Sequence, residues 1–549
     1  MPAPEGRSKW FSIYEESATG ERVSRPGFVL EVDRSTPPIL FHHGEGFRLE
    51  RLPAGSRVVY PAEPVAPLSD PDGAIRHALL NPVGDSQPLP SLLHAGMKLT
   101  IAMDNQAVPL PPMQRPDNRQ RVIEIVLDMA AAAGVDDVEL IIAHGLHRRQ
   151  TEAELRHMVG DRIYDAFAPH GMLTQHDAED HDNLILVGRT EQGEHVELNK
   201  RAVTSDLLIY VNVNLVAMDG GHKSTMTGLT SYRGLKHHHN VTGMQHSRSF
   251  MDPPNSELHN SVWRQGRVLA DAVKIFQIET TVNTDTFPSP FSFLQKREWE
   301  WSARDRASYL GVSKSLERVP PKMARTIFHG MKSPQKMTSV QAGEVEAVHK
   351  LTLENVHRQH LVPVEGQADV LTMGLPYVGP YNVNSILNPL LVMCLGLGYF
   401  FNLYRNKPLV RKGGVVIMSH PTRWEFHPVH HPSYIDFFEQ VLAETTDPLE
   451  IEKKFEEDFA TDPWYIHLYR NSYAYHGVHA FYMWYWGAHA LQHVGQVIIV
   501  GGEPRAVRRM GFKPASTLRD ALEMAEDVVG RDPSITHIHN PPIFIADVT

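Results

Sequence analysis

Residues 138–154 read VELIIAHGLHRRQTEAE, and this stretch decides the fold. It opens with a mostly apolar run, passes through a loop with two histidines, and ends in Thr151-x-x-Glu154, the spacing of a helical capping box. A buried strand that leads through a short loop into a capped helix is the repeating unit of parallel α/β sheets. The stretch therefore predicts such a sheet, with the histidine loop at a strand's carboxyl end, where open α/β sheets bind their ligands.

The same unit recurs along the chain on both sides of this stretch. Residues 97–102 predict a strand ending at Asp104, and Asp117-x-x-Gln120 predicts the capping box of the helix that follows. Further strands are predicted at residues 183–187, 207–213, 368–373, 414–418 and 497–500. We therefore expect the α/β fold class, with mainly parallel sheets.

The predicted domain organisation follows from the length and from one irregular region. A chain of 549 residues exceeds the usual size of a single domain, so two or more domains are expected. Residues 286–345 are charged and irregular and contain two adjacent prolines, which favours a helical linker. The predicted architecture is an N-terminal cofactor-binding α/β domain at residues 1–285, the helical linker region at residues 286–345, and a C-terminal α/β domain at residues 346–549 that closes over the site.

The composition excludes several classes of function. With 64 acidic and 53 basic residues the formal net charge is -11, and the sequence has no basic stripe to bind nucleic acid. The single cysteine, Cys394, excludes an intrachain disulfide framework and a cysteine-rich metal site. The longest apolar run, residues 389–401, is too short to cross a bilayer, and the first residues lack the apolar core of a signal peptide. We therefore expect a cytoplasmic protein with no membrane or nucleic-acid partner.

Histidine is the residue that stands out in this composition. There are 32 histidines, several of them in clusters, and histidine is both a common metal ligand and an acid or base near neutral pH. Three strand-end loops contribute Asp104, His147 with Arg148, and Lys223, and His239 follows the lysine. Loops that meet at the carboxyl edge of one sheet would gather these side chains into one cleft. The set predicts metal-assisted or lysine-linked acid/base chemistry.

The lysine of this set lies on a glycine turn. Gly220-Gly221-His222-Lys223 follows the strand predicted at residues 207–213. Because glycine adopts backbone conformations closed to other residues, the turn leaves the lysine sterically free to reach a cofactor. Taken in isolation, such a lysine would be interpreted as a solvated surface residue.

The spacing of these residues is more specific than their chemistry. The chain carries, in order, Gly145-x-His147-Arg148-x-x-Thr151, Gly220-Gly221-x-Lys223, Gly228 and His239. This pattern closely resembles the lactate racemase family, whose enzymes use nickel-pincer nucleotide. The resemblance extends over about residues 85–260 and is weaker beyond. It implies an isomerase that racemises or epimerises hydroxy acids or their derivatives, with proteins of cofactor biosynthesis as partners.

The resemblance assigns the cofactor tether and the metal ligand. Lys223 matches the lysine to which the nucleotide is attached through a thio-acyl group. His239 matches the nickel ligand, and an imidazole beside two sulfurs and a carbon suits a square-planar nickel site. His237 and His238 have no family counterparts, but three adjacent histidines leave the register of the ligand open.

The substrate side of the implied site depends on His147. It matches one of two family histidines that remove and return the proton of the substrate hydroxyl, while the carbon-bound hydrogen moves as hydride to the pincer carbon. Arg148 is expected to support this chemistry, either locally or by contacting the substrate. The remaining expected cofactor contacts are Asp104, Thr151, Gly220 and Gly221, although aspartate is also common at strand ends and threonine at helix caps.

The second histidine of the family is missing from this chain. It lies ten residues before the lysine, at the position of Val213. His222 and His144 are the candidate substitutes, and neither position belongs to the motif. The two-base symmetry of a racemase is therefore in question.

Two cations expected from the family are also missing. The arginine three residues after the first-strand aspartate is Ala107 here. The family's tyrosine–glutamine pair and lysine align with Asn384, Ser385 and Asn388. A carboxylate favours charged partners, so the substrate is expected to be larger or neutral, or to be held by other cations. The candidates for that last role are Arg233, Lys236 and Arg248.

Three functions stay open. The first is a pincer-nucleotide racemase or epimerase that acts at the hydroxyl-bearing carbon of a 2-hydroxy acid or related compound. The second is a relative that keeps the cofactor but carries out an oxidoreduction or isomerisation by hydride transfer. The third is a non-catalytic protein that binds nickel or the nucleotide. Val213 separates the first from the second, and an intact His147 speaks against the third.

The aromatic, histidine-rich stretch at residues 464–493 has two interpretations. It either lines the cleft or forms core, and its helical spacing favours core. His479 is the member considered for a site role, whereas His489 and His493 are expected to be structural.

Overall fold

The computed structural model describes residues 25–105 and 111–549. Its strands, numbered in chain order, are β1 (Phe28–Glu31), β2 (Ile39–Gly44), β3 (Gly46–Glu50), β4 (Arg57–Tyr60), β5 (Lys98–Asp104), β6 (Asp137–Ala143), β7 (Leu173–Gln175), β8 (Leu184–Arg189), β9 (His195–Asn199), β10 (Leu207–Asn214), β11 (Ile275–Val282), β12 (Met337–Gly343), β13 (Leu361–Val364), β14 (Ala368–Pro376), β15 (Tyr404–Arg405), β16 (Val410–Ser419), β17 (Gln496–Val500), β18 (Lys513–Ala515), β19 (Ile535–Ile538) and β20 (Ile545–Val548).

The α-helices lie mostly between these strands. In chain order they are α1 (Pro71–Leu80), α2 (Leu89–Leu92), α3 (Asn118–Ala132), α4 (Glu152–Val159), α5 (Asp161–Phe167), α6 (Lys200–Val203), α7 (His222–Gly228), α8 (Tyr232–Leu235), α9 (Val241–His246), α10 (Glu257–Ala270), α11 (Ala303–Arg318), α12 (Pro321–Gly330), α13 (Val345–His360), α14 (Pro389–Met393), α15 (Pro432–Asp436), α16 (Leu442–Glu444), α17 (Pro448–Thr461), α18 (Pro463–Asn471), α19 (His479–Tyr485), α20 (Ala488–His493), α21 (Pro504–Arg509) and α22 (Leu518–Val529).

Two large sheets organise the molecule. The first has the order β12-β11-β10-β5-β6-β7 and is parallel except for the pair β11–β12. The second has the order β1-β4-β19-β14-β16-β17-β18, with the hairpin β2–β3 attached to β14. It is parallel except for the pairs β1–β4 and β2–β3. The predicted fold class, two mainly parallel α/β units, is thereby confirmed.

Strand pairing does not follow the predicted domain limits. Residues 28–60 were assigned to the N-terminal domain, yet β4 pairs with β19 of the second sheet, where Val58 lies opposite His537. In addition, β12 lies inside the predicted linker at residues 286–345 but forms an edge of the first sheet. Local patterning identifies a strand and leaves its partner undetermined, because the partner can lie hundreds of residues away. The predicted limits 1–285 and 346–549 therefore do not coincide with the two sheets, because β4 and β12 each pair across a limit.

The helix caps beside the first sheet decide how its loops leave the strands. Thr151 and Glu154 form the predicted capping box of α4, each side chain bonded to the other's backbone N–H. The box predicted at Asp117 is only half correct. Asp117 does cap α3, but its carboxylate binds the backbone and guanidinium of the buried Arg119, while Gln120 turns to Glu124 instead. A buried carboxylate needs a cation more than it needs an amide.

The apolar run at residues 389–401 is buried, as predicted. It forms α14 and a π-helical turn at Cys394–Phe400 in the apolar core of the second half. Burial raises the pKa of the Cys394 thiol. Across the described ranges, no helix has both the length and the apolar character needed to cross a membrane.

Candidate active site

The carboxyl ends of three neighbouring strands form one edge of the first sheet. β5 pairs with β6 on one side and with β10 on the other, and Asp104 at the end of β5 lies opposite Ala143 at the end of β6. The loop after β6 leads to His147, and the loop after β10 leads to Lys223. The three strand-end loops selected from the sequence therefore leave the sheet side by side, at the edge where open α/β sheets bind ligands.

The glycine turn before Lys223 has no room for side chains. Gly220 and Gly221 have φ angles of +93° and +59°, the left-handed region that disfavours other residues. A Cβ on Gly221 would lie 2.5 Å from the ring of Trp263, and one on Gly220 would lie 2.3 Å from the amide of Asn214. The Gly221 N–H donates to the buried carboxylate of Glu279 at 2.6 Å. The hydrogen bond to Glu279 thus fixes the glycine turn. Helix α7 follows directly, with Lys223 as its second residue.

Two buried carboxylates lie near Lys223. Its Nζ is 3.8 Å from Oδ1 of Asp219, whose other oxygen accepts the N–H groups of Leu215 and Val216. Asp104 accepts the N–H of Val213 at 2.8 Å, and burial raises its pKa to about 7. Burial also raises the pKa of Asp219, and the Lys223 ammonium opposes the shift in both carboxylates. This wall of the site is charged and tightly hydrogen-bonded.

His147 is half-buried where the loop after β6 meets the second half of the chain. Its Nδ1 lies 2.7 Å from the side-chain amide of Asn105. Burial lowers the pKa of His147 to about 3, with the positive charges of Lys223 and Arg148 acting in the same direction. The imidazole is therefore neutral at physiological pH, the form in which it can accept a proton.

Arg148 and Thr151 are occupied by structural contacts. Arg148 donates to both oxygens of Glu154, at 2.9 and 2.6 Å, and to the carbonyl of Val383 at 3.0 Å. Its guanidinium is buried and paired and ties the α4 loop to the second half, which agrees with the local supporting role considered from the sequence, while its predicted part in catalysis stays a prediction. Thr151 caps α4, and its predicted contact with a cofactor stays a prediction.

The three adjacent histidines after α8 have different surroundings. His237 is half-buried against His195. His238 is buried, with Nδ1 at 2.9 Å from Gln265 and Nε2 at 3.4 Å from Thr227. His239 is buried and stacks on Trp486 at 5.1 Å between ring centroids, and its Nδ1 has no hydrogen-bond partner in the described part of the chain. Burial lowers the pKa of His239 well below its ordinary value, and His238, Lys223 and His147 act in the same direction.

Opposite the charged edge lies an aromatic wall, built mostly from the stretch at residues 464–493 that the sequence assigned either to the cleft lining or to core. We define it as Tyr381, Tyr475, His479, Tyr482 and Trp486, all buried. The first three surround His147, with ring centroids at 5.1, 6.1 and 5.1 Å from its imidazole, and the last two cover His239. The stretch at residues 464–493 supplies four of the five. The helical spacing of this stretch predicted buried core residues. These residues are buried, and they also face the site.

Within the described residues, the rings of His222 and His144 do not stack on that of His147, although the His144 carbonyl accepts the His147 N–H at 2.9 Å. Val213 is 1% exposed within the apolar core, and only its backbone contacts Asp104. His222 turns away to Glu346, at 3.3 Å. His144 packs against His176 and Tyr469.

The expected substrate-binding cations are also placed elsewhere. Arg233 and Arg248 are exposed, and Lys236 lies 3.8 Å from Glu457 at the surface. Ala107 lies outside the described residues. Of the residues aligned with the family's tyrosine–glutamine pair and lysine, Asn384 donates to Glu154, Ser385 is buried, and Asn388 caps α14.

Tyr381 and Asn382 offer the same spacing three residues earlier. The tyrosine is followed by an amide and, four positions after the tyrosine, by Ser385. Tyr381 lies beside His147, whereas Asn384 is bound to Glu154.

Comparison with known proteins gives sequence matches over part of the chain and structural matches over nearly all of it. The sequence matches the lactate racemase N-terminal domain over residues 45–252. The lactate racemase of Thermoanaerobacterium thermosaccharolyticum is 25% identical over 170 residues, which span 30% of this chain and only 37% of that protein. The solved structure of the lactate racemase apoprotein from that organism is 19% identical, with a TM-score of 0.60, and the match covers 93% of this chain and 99% of that one. A solved protein from Thermotoga maritima is 12% identical, with a TM-score of 0.47 over 88% of this chain and 99% of that one.

These matches agree with the motifs quoted from the sequence. The structural likeness establishes a shared fold over nearly the whole chain, whereas the sequence matches cover the part that carries the glycine turn and the histidine run. The match of residues 45–252 to the lactate racemase N-terminal domain supports the family resemblance that the motifs predicted.

Proposed function

We propose that this protein is a nickel-pincer-nucleotide-dependent racemase or epimerase that acts at the hydroxyl-bearing carbon of a 2-hydroxy acid or a related compound. The observation that carries the proposal is the convergence of Lys223, His147 and His239. The lysine ammonium acts on the pKa of both imidazoles, and all three lie where the charged edge meets the aromatic wall.

The residues present fit the cofactor. Nowhere in the described ranges do three or more His, Cys, Asp or Glu side chains gather as they would to hold a metal ion. A metal at His239 would therefore need most of its donors from a non-protein ligand, as a pincer provides. The unpartnered Nδ1 of His239 offers one imidazole donor, and Lys223 offers the tether. When bound, the group would supply a hydride acceptor.

The chain itself would move the proton and exclude water. His147 is neutral and half-buried, so it can take the proton of the substrate hydroxyl as hydride leaves the same carbon. The aromatic wall would cover the reacting carbon and keep water from the carbonyl intermediate. Glu279 would hold the turn that presents Lys223, through its hydrogen bond from Gly221.

A second candidate function is supported by Val213. A site with one proton-transfer group would oxidise or isomerise its substrate without inverting it, while using the same cofactor. This alternative predicts a carbonyl or isomerised product from a single enantiomer, whereas the first predicts a racemic mixture. A third function, storage of nickel or the nucleotide, would leave His147 without a purpose. In each case proteins of cofactor biosynthesis would be the expected partners, and a small hydroxy compound the expected substrate in the first two.

The test is intact mass with nickel analysis of protein co-produced with the biosynthesis proteins for the cofactor. Wild type should carry a covalent adduct with nearly one nickel per chain. Lys223→Ala should lose the adduct because it lacks the amine. Lys236→Ala is the matched control, since this lysine lies at the surface beside Glu457, and it should load like wild type. An adduct that persists in Lys223→Ala, or wild-type protein that carries neither adduct nor nickel, would overturn the proposal.

A further inference from the structure

His479 faces His147 across the boundary between the two halves of the chain. It is the first residue of α19, far from His147 in sequence, and is only 2% exposed. The two imidazole centroids are 5.1 Å apart with an interplanar angle of 84°, an edge-to-face contact. His479 also lies 4.9 Å from Tyr381 and 4.5 Å from Tyr475, measured between ring centroids. It is therefore the histidine of the aromatic wall that meets the predicted proton-transfer group.

The two ring nitrogens of His479 are used differently. Nδ1 lies 2.6 Å from the hydroxyl oxygen of the fully buried Tyr434. Nε2 is buried and has no hydrogen-bond partner within residues 25–105 and 111–549. Other buried histidines, such as His431 and His537, also have an unpartnered Nε2 within the described residues, so it is the ring contact with His147 that singles out His479. When Tyr434 accepts from Nδ1–H, the lone pair of Nε2 is left available for a substrate proton.

We propose that His479 is the second proton-transfer residue, replacing the histidine that the chain lacks at Val213. One imidazole would come from each half of the molecule. Because the rings touch, a single substrate oxygen can reach either of them as the carbonyl turns. The inference rests on the proposed function, since it needs a reaction that breaks the O–H bond.

The proton balance closes without an additional acid. As the O–H bond of one enantiomer breaks, His147 would take the proton, and the cofactor, when bound, would supply the acceptor for the hydride that the same carbon gives up as the alcohol is oxidised to a carbonyl. The proton passes from His147 to His479 through their contact. The carbonyl turns, regains the hydride on its other face, and takes the proton from His479. Both imidazoles end neutral, and the opposite enantiomer follows the same steps in reverse.

The test is single-turnover oxidation of each enantiomer by loaded protein in excess. The probes are the separate enantiomers of lactate, mandelate and 3-phenyllactate, with the carbonyl product trapped as its hydrazone. His479→Gln should slow oxidation of one enantiomer by about 100-fold or more, the usual contribution of a general base, and largely spare the other. His147→Gln should show the opposite preference. Racemisation should fall in both variants, because each lacks one end of the relay.

His537→Gln is the matched control. His537 is also a buried histidine with Nδ1 near a hydroxyl, at 3.0 Å from Thr372, and with an unpartnered Nε2 in the described chain, but it lies in the second sheet against Phe41. It should behave like wild type with both enantiomers. Nickel content and adduct mass are measured on every variant, so that a loading defect is separated from a chemical one.

The outcomes distinguish this inference from the proposed function. Loss of nickel in His479→Gln with an intact adduct would make His479 a metal ligand and overturn the relay. Equal rates for both enantiomers in loaded His479→Gln would also overturn it, and leave the racemase proposal standing if wild type racemises. Wild type that loads but oxidises no probe, or that does not load, would overturn both.

Discussion

The two walls of the candidate site differ in chemistry. The edge of the first sheet carries Asp104, Asp219 and Lys223, three ionisable groups, and the two carboxylates are held by backbone N–H groups. The aromatic wall, supplied entirely by the second half, contains only tyrosine, histidine and tryptophan side chains. Burial lowers the pKa of His479 well below its ordinary value, so this wall is neutral at physiological pH.

The difference in chemistry indicates that the two walls have different roles in the site. The charged edge holds its carboxylates by backbone hydrogen bonds and presents its lysine on a turn fixed by Glu279. The aromatic wall offers apolar surface and weak proton acceptors, which suit a substrate whose other groups are uncharged. Arg148 and His239 lie where the walls meet, one as a tie and the other against Trp486.

The largest expected effect concerns His239, where the walls meet. His239→Ala should lower nickel content by more than about tenfold, because even outer groups of a metal site typically change affinity that much. The organic adduct at Lys223 should remain, and mass spectrometry with nickel analysis separates the two. His237→Ala is the control, since its ring lies against His195. Loss of nickel from His237→Ala but not from His239→Ala would make His237 the metal ligand and contradict the role assigned to His239.

Arg148 tests whether the walls are physically tied. Arg148→Met leaves the carboxylate of Glu154 buried without its cation and removes the bond to the carbonyl of Val383. Breaking such a pair should lower the free energy of unfolding by about 3 to 5 kcal/mol, measured by urea denaturation. Arg156→Met, which removes exposed ion pairs of α4, should cost far less, because solvent screens exposed charges. Equal costs for the two variants would argue that Arg148 is no more than a surface cation.

Asp104 tests the electrostatics of the charged edge. Burial raises its pKa to about 7, against about 3.9 in an unfolded chain. The folded state therefore binds this proton more tightly, so the group's contribution to stability is complete below pH ~3.9 and is lost as pH rises towards ~7. The loss amounts to at most about 4 kcal/mol. Asp104→Asn should flatten this part of the pH dependence in urea titrations, and an unchanged slope would contradict the raised pKa.

The charged edge could be predicted from the sequence, and the aromatic wall could not. Asp104, His147 and Lys223 each follow a strand directly, and strand ends are marked locally by caps and glycines. In a parallel sheet the carboxyl ends of adjacent strands meet, so local signals were sufficient to bring these residues together. The wrong cap at Gln120 shows the limit, because the motif could not show that Arg119 would be buried.

The aromatic wall depends on contacts between distant parts of the chain. Tyr381 and His479 meet His147 only when the two halves pack, and no spacing in either segment records that contact. An apolar helix face has the same period whether it covers core or a reacting carbon. The sheet to which β4 belongs could not be predicted for the same reason, because its partner β19 lies near the other end of the chain.

Val213 gives the smallest expected effect and the sharpest test of the division between the walls. Val213→His would bury an imidazole in the apolar core at a position that is 1% exposed, which should cost about 2 kcal/mol in the free energy of unfolding. Val213→Leu enlarges the same side chain without a polar atom, so the difference between the two variants isolates the cost of burying polarity. If the family's arrangement had merely been lost, Val213→His would restore oxidation of the enantiomer that His479→Gln loses. We expect no rescue in the double variant, because here the second imidazole comes from the opposite wall, and recovery of that enantiomer would assign the second base back to the first sheet.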